Sequence, residues 1–244
     1  MIHKYLSNYA ILPGGLPEIQ GDWEHVLVVP CFSESAEFLD RFVVAQQQLS
    51  LLLVLVINRP ESADTGCNQV IREYLAKHLT QLLQTGYQLH QLGDQLTALS
   101  IDLDALEGPT PSVEGVGRAR RVGCDTALAL IHQGIIKSRW IYSGDADAEW
   151  PSGFFHADWP GQDSAICFPF THDAAGDPAV VAATLIYELK LHHYVLHLQR
   201  SGSPYAFHAL GSSCAFNSAA YAAVRGSPLR NAGEDFYLLN KLAK

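Results

Sequence analysis

The stretch LLLVLVI, Leu51–Ile57, is apolar at every position. A strand with one face in water alternates apolar and polar residues, whereas an unbroken apolar run of this length is typical of a strand covered on both faces. Such strands occur mainly in parallel sheets that lie between two layers of helices. The run therefore predicts an α/β fold.

On either side of this run, short apolar segments alternate with segments of helical periodicity. Further strands are predicted at residues 26–29, 96–103, 140–143 and 165–168, and helices at residues 33–43, 70–83, 118–132, 179–199 and 236–242. This alternation predicts a mostly parallel central sheet with helices on both faces. In sheets of this kind, ligands bind at the carboxyl ends of the strands.

The bulk composition limits the class of protein. The 244 residues are 48% apolar and 17% charged, which fits one large domain over residues 1–244, with residues 1–24 as an N-terminal lead-in. The net charge of −9 argues against a nucleic acid as partner. A phosphate-bearing ligand would also be repelled, so it would need a metal ion or nearby arginine and lysine side chains.

Cysteines and apolar runs indicate the compartment. The five cysteines are scattered, odd in number and without a C-x-x-C pair, which is typical of reduced thiols in a cytoplasmic protein. The N-terminus, MIHKYLSNYAILPGG, lacks the apolar centre of a signal peptide, and no apolar run approaches the roughly 20 residues that cross a bilayer. We therefore expect a cytoplasmic protein without a transmembrane segment, with peripheral contact at the inner face of the membrane left open.

The segment SGDADAEWP, residues 143–151, places two aspartates one residue apart directly after a predicted strand. Asp145 and Asp147 can both reach one crevice, and their oxygens suit Mg²⁺ or Mn²⁺. The motif alone is weak, because about 0.8 D-x-D matches are expected by chance and a second one, Asp102 and Asp104, occurs. The structural alternative is an exposed loop with Asp147 near a helix cap.

Glu234 and Asp235 follow a glycine and open a short apolar helix. A carboxylate at this position could take a proton from an acceptor hydroxyl as a general base. Acidic residues are also favoured at helix N-termini for structural reasons, so the pair needs its context.

Three arginines, Arg118, Arg120 and Arg121, follow a glycine-rich loop in an otherwise acidic chain. Arginine suits contacts to phosphate and to a base, although a solvated helix face is an equal alternative. The histidines of the 179–199 helix lack an H-E-x-x-H pattern and are interpreted as structural. A nucleophile elbow and a strand-linked G-x-G-x-x-G fingerprint are both absent from the sequence.

Taken in order, these segments resemble glycosyltransferase family 2, whose members have the GT-A fold. The similar segments are VLVVPCFSES at residues 26–35, LLLVLVINRPES at 51–62, VGRARRVGCDTAL at 116–128, WIYSGDADAEWP at 140–151 and AGEDFYLLNKL at 232–242. A bacterial subgroup with a DAD and a GEDFY motif also has a segment like SPYAFHALGSS, residues 203–213. The resemblance covers residues 26–244, and five motifs in order are more specific than any one alone.

The resemblance implies an enzyme that moves a sugar from a nucleoside-diphosphate sugar to a hydroxyl acceptor, with inversion and with Mn²⁺ or Mg²⁺ as cofactor. The enzyme would take part in the synthesis of cell-envelope or polysaccharide glycoconjugates. Asp147 would bind the metal, Asp145 the ribose or the metal, and Asp235 would be the base with Glu234 beside it. The residues assigned to the sugar nucleotide are Pro30, Phe32, Glu34, Asn58, Arg118, Arg121 and Asp145.

The chain departs from the family pattern at Ser33 and Arg121, where asparagine is usual, and at Asn58, where aspartate is common. An asparagine oxygen can still accept a bond from a ring N–H. The chain also ends shortly after the acidic pair, whereas relatives continue. The resemblance therefore predicts either a naturally short form or a chain truncated at its C-terminus.

Three other classes of protein are alternatives. A sugar nucleotidyltransferase is expected to carry lysine or arginine in the loop after the first strand, and PCFSES has neither. A non-catalytic nucleotide-sugar-binding module is favoured slightly by Ser33 and Asn58. A flavodoxin-like or hydrolase fold would leave both acidic motifs unexplained.

Overall fold

A computed structural model describes residues 1–151, 153–156, 163–173 and 176–244. Eight strands form one sheet: β1 (His25–Cys31), β2 (Leu51–Ile57), β3 (Leu79–Gln84), β4 (Tyr87–Gln91), β5 (Leu96–Asp102), β6 (Trp140–Ser143), β7 (Ala165–Cys167) and β8 (Cys214–Asn217). The helices are α1 (Ile2–Asn8), α2 (Glu37–Gln46), α3 (Gln69–Lys77), α4 (Leu103–Glu107), α5 (Gly115–His132), α6 (Pro178–Arg200), α7 (Ser218–Ala223) and α8 (Glu234–Leu242), with a short 3₁₀ helix at Phe154–His156.

The sheet is mixed, with strand order β3-β4-β5-β2-β1-β6-β8-β7. The four central strands, β5, β2, β1 and β6, pair in parallel, whereas β3, β4, β8 and β7 join the two edges by antiparallel pairing. The α/β class is confirmed, but the expectation of a mostly parallel sheet is wrong. The parallel centre brings the carboxyl ends of its four strands to one edge of the sheet.

The central strands are buried on both faces, as the unbroken apolar run of β2 predicts. Along β1, Val26 and Val28 belong to one apolar core, and Leu27 and Val29 belong to the other. Helix α5 covers the first core closely, since a Cβ on Gly123 would lie 2.3 Å from the Val28 side chain. Glycine is therefore required where α5 crosses β1.

The predicted helix over residues 70–83 is too long. Helix α3 ends at Lys77, and residues 79–84 form β3, which pairs with the unpredicted strand β4 as a hairpin. Leu79 and Leu82 continue the apolar spacing of α3, but both are exposed on the edge strand. Their spacing is therefore incidental.

The N-terminal lead-in packs onto the same core. Tyr5 in α1 is 2% exposed, and its hydroxyl donates to Asp125 of α5 at 2.5 Å. Further along, the backbone of Trp23 pairs with Ile136 in an isolated bridge.

Helix α6 is 23 residues long, and none of its side chains is buried. Several large apolar residues along it are exposed, among them Leu185, Ile186 and Leu189. Across the part of the chain that the structure describes, no helix combines the length and apolarity needed to cross a membrane.

Candidate functional site

The ends of β1 and β6 separate at the carboxyl edge of the sheet, and we call the region between these two ends the crevice. The pairing of β1 with β6 ends at Val28, while β1 continues beside β2 to Cys31. Pro30 is buried in this extension, opposite Val56 of β2. Proline lacks an N–H, so it suits a stretch of strand that is paired on one side only. Ligands of α/β sheets bind at such a point, where neighbouring strands lead off in opposite directions.

Three carboxylates meet at this crevice, and we call them the carboxylate cluster: Glu34 after β1, and Asp145 and Asp147 after β6. Burial raises the pKa of Glu34, and the charges of Asp147 and then Asp145 raise it further. Within the described residues, Glu34 and Asp147 have no ion-pair partner, while Asp145 pairs with Arg120. The crevice therefore carries an excess of negative charge.

Arg120 of α5 joins the two acidic motifs. Its Nη2 donates to Asp145 Oδ1 at 2.6 Å, and its Nε donates to Glu234 Oε1 at 2.8 Å. Its Nη1 donates to Ser143 Oγ at 2.6 Å. Burial opposes the charge of this guanidinium, but the two carboxylates more than offset it and raise the pKa of Arg120 above its ordinary value.

Glu234 and Asp235, at the start of α8, face different surroundings. Glu234 is 3% exposed and is held by Arg120. Asp235 is partly exposed, its carboxylate accepts from the Phe236 N–H at 2.7 Å, and the Gly211 backbone N–H lies near it. Burial raises the pKa of Asp235 above its ordinary value of 3.8. Of the two, Asp235 is the carboxylate that a ligand can reach.

The other two predicted arginines point away from the carboxylate cluster. Arg118 pairs with Glu107 and Glu114 beside a separate cavity of about 220 Å³. Arg121 pairs with Asp125 at 2.8 Å, and its Nη1 donates to the backbone oxygen of Ser227. The structure therefore does not bring Arg118 and Arg121 to the predicted donor site.

Asn68, which the sequence did not single out, fixes the two loops that flank the crevice. Its Oδ1 accepts from the Ser33 N–H at 2.8 Å, and its Nδ2 donates to the Asn58 carbonyl at 2.9 Å. Asn58 is 5% exposed at the end of β2, whereas Phe32 is 41% exposed at the rim of the β1 loop. Ser33 itself has a positive φ of 57°.

The second D-x-D match is structural. Asp102 caps α4 by accepting from the Ala105 N–H, and it pairs with Arg72 at 2.8 Å. Asp104 forms an ion pair with Arg59 at 2.8 Å, and the bond from Arg59 holds the pKa of Asp104 below its ordinary value. Both carboxylates are thus neutralised by arginine, unlike Asp147.

The carboxylate cluster is not a ready-made metal cage. In residues 1–151, 153–156, 163–173 and 176–244, no three histidine, cysteine, aspartate or glutamate side chains are arranged to hold a metal ion. Mg²⁺, however, usually takes one or two protein carboxylates and fills its remaining positions with water and phosphate oxygens. Asp145 and Asp147 therefore fit a divalent cation that shares its ligands with a bound diphosphate.

Sequence reasoning missed the separate roles of Arg120, Asn68 and Gly211. Arg120 was grouped with its neighbours, and the signal that separates them is the 100° turn between successive helix positions. Asn68 acts through its side-chain amide and Gly211 through its backbone. Neither kind of contact can be recognised from a sequence motif. The three are brought to the site by folding alone.

Comparison of the chain with models of known protein families gives no match, and comparison with curated proteins gives none either.

Proposed function

We propose that the protein transfers a sugar from a nucleoside-diphosphate sugar to an acceptor hydroxyl, with inversion at the anomeric carbon. The main support is the Arg120 network, because it joins Asp145 of one acidic motif to Glu234 of the other. Two carboxylate motifs with different surroundings then lie at one edge of the sheet. The motif with Asp145 suits binding of a cation and a diphosphate, and the motif with Glu234 suits proton transfer.

The donor is proposed to bind in the crevice between the ends of β1 and β6. Phe32 offers an exposed ring for stacking against a base, and Asn58 lies at the end of the neighbouring strand. Asp145 and Asp147 would hold Mn²⁺ or Mg²⁺ against the diphosphate. When bound, this cation would neutralise charge on the leaving group as a Lewis acid.

Asp235 is proposed as the general base. The acceptor hydroxyl gives its proton to the Asp235 carboxylate while its oxygen forms a bond to the anomeric carbon. The bond from that carbon to the diphosphate oxygen breaks, and the electron pair leaves with the nucleoside diphosphate. Attack from the face opposite the leaving group inverts the anomeric centre.

Glu234 is proposed as a positioning residue and not as a catalytic one. Its carboxylate is buried and is held by Arg120, so contact with a substrate would require breaking this ion pair. Through Arg120, Glu234 orients Asp145 on the donor side. Its backbone fixes the start of α8, on which Asp235 lies.

The test is release of nucleoside diphosphate from a panel of sugar nucleotides with Mn²⁺ present. We expect turnover of one donor, loss of at least a hundredfold in Asp235→Asn, and donor binding that this variant retains. Asp94→Asn is the matched control, because Asp94 is an exposed aspartate at the turn between β4 and β5. Binding of a sugar nucleotide without any turnover would overturn the proposed activity and support the non-catalytic binding module.

A further inference from the structure

A groove of about 560 Å³ is lined in part by α8, the helix that carries Asp235. Its walls are the second half of α6, the segment from Ser203 to Leu210, and one face of α8. Phe236 follows Asp235 directly and lines the groove. Leu210 also lines it and precedes Gly211, whose backbone N–H lies near the Asp235 carboxylate. The groove therefore reaches the proposed base from two separate chain segments.

The lining of the groove is mainly apolar. Leu191, Val195 and Leu198 of α6 face Leu210 and Phe236 across it. Among the residues that the structure describes, no aspartate or glutamate lines it, although the whole chain carries a net charge of −9. None of the carboxylate cluster lines it either, so the groove lies apart from the proposed donor crevice. A volume of this size matches that of an organic ligand of moderate size.

One polar group in the groove lacks a partner. The Asn240 side chain lies one turn after Phe236 on α8, and its buried Oδ1 accepts no hydrogen bond from the described residues. A buried amide oxygen without a donor costs free energy unless a ligand or water satisfies it.

We propose that this groove binds the acceptor, and that the acceptor is an alcohol with an apolar body. The body would lie between α6 and α8, with its hydroxyl next to Asp235. This inference rests on the proposed sugar transfer, because the hydroxyl gives its proton to Asp235 and its oxygen bonds to the anomeric carbon. Polar side chains also line the groove, among them Tyr205, His208 and Lys244, and they suit the polar end of such an acceptor.

The test uses n-alkyl β-glucosides of four, six and eight carbons as probes, kept below micelle formation. Titration calorimetry should show affinity rising two- to fourfold for each added methylene, as expected for burial of an alkyl chain. The same series should accelerate release of nucleoside diphosphate from the donor. Equal affinity along the series would overturn the proposal.

Matched variants on α6 locate the binding. Leu198 lines the groove and Leu196 does not. Leu198→Asn should therefore lower the affinity for octyl β-glucoside at least tenfold, and Leu196→Asn should leave this affinity unchanged. If Leu198→Asn fails to fold, Tyr194→Ala replaces it with Tyr187→Ala as control, because both tyrosines are exposed and Tyr194 alone of the two lines the groove. Equal effects in the members of a pair would overturn the groove assignment.

Donor binding separates this inference from the proposed function. Leu198→Asn should bind nucleoside diphosphate as the parent protein does, since its side chain lies outside the donor crevice. Transfer that proceeds without dependence on alkyl length would overturn this inference and leave the proposed function standing. Alkyl binding that depends on Leu198 without any transfer would remove both the acceptor role and the proposed function.

Discussion

Arg120 is the side chain on which the geometry of both acidic motifs depends. Its guanidinium is almost fully buried between Asp145 and Glu234. A Cβ on Gly211 would lie 2.7 Å from Arg120 Nη2, so a larger residue at position 211 would displace the guanidinium. Buried ion pairs of this kind often add little net stability, and their value here is a fixed relative position of the two motifs.

If Asp235 is the base, as proposed, it sets the pH dependence of the proposed sugar transfer. Burial raises the pKa of this carboxyl above 3.8. The base must be ionised, so activity is lost as the pH falls through the raised pKa, at a higher pH than for an ordinary aspartate. A profile of kcat/KM against pH measures this acidic limb. A limb at or below the ordinary pKa of aspartate would contradict the assignment of Asp235 as base.

Ser33 adopts a backbone conformation that suits asparagine better than serine. Its φ of 57° lies in the left-handed region, where asparagine is enriched several-fold. We expect Ser33→Asn to raise the free energy of unfolding by about 0.5–1 kcal/mol, measured by urea denaturation. Ser35→Asn, on the same loop but without a positive φ, is the control and should change little. A loss of stability in Ser33→Asn would show that Asn68 cannot accommodate the larger side chain.

At the residue level, the sequence predicts the position of the carboxylates better than that of the arginines. Asp145 and Asp147 follow a buried strand directly, so their position at the sheet edge can be derived from the pattern alone. Arg120 could not be separated from Arg118 and Arg121, because its partners, Asp145 and Glu234, come from distant parts of the chain. Only the fold decides which of the three faces the crevice.

Helices α5 and α8 are coupled through one buried ion pair. Arg120→Met would leave the buried Glu234 carboxylate without its partner, which should destabilise the protein by about 3–5 kcal/mol. Adding Glu234→Gln removes the uncompensated charge and should recover part of this loss. The free energies of unfolding of both variants are to be measured by urea denaturation monitored by circular dichroism.

Arg118→Met is the matched control on the same helix. The partners of Arg118 are partly exposed, so its loss should cost less than about 1 kcal/mol. A cost for Arg120→Met no larger than that of this control would contradict the coupling of α5 to α8.

Among the helices and strands, too, the sequence predicts some and misses others. Strands β1, β2, β5 and β6 and helices α5 and α6 were predictable because apolar runs and helical spacing persist over whole elements. The hairpin of β3 and β4 was not, because β3 has mostly exposed side chains and so lacks an apolar pattern of its own. β3 is held by backbone hydrogen bonds to β4, which in turn pairs with β5. A local sequence pattern does not indicate such pairing.

At the scale of the molecule, the proposed donor site lies at the centre of the mixed sheet and the proposed acceptor groove lies towards one of its edges. The parallel centre presents the carboxylate cluster, while antiparallel β8 begins at the same edge and follows the segment that lines the apolar groove. The net charge of −9 opposes the approach of any diphosphate. Nucleotide binding should therefore depend on a divalent cation.

The most direct test of the account is titration calorimetry of the protein with UDP, GDP and other nucleoside diphosphates, with and without Mn²⁺. The variants are Asp147→Asn and, as a control on the same loop, Glu149→Gln, whose exposed side chain pairs with Arg41. We predict that one nucleotide binds in the presence of Mn²⁺, that Asp147→Asn weakens it at least tenfold, and that Glu149→Gln leaves it unchanged. Binding of equal affinity without Mn²⁺, unaffected by Asp147→Asn, would contradict the central claim that the carboxylate cluster holds a cation against the diphosphate.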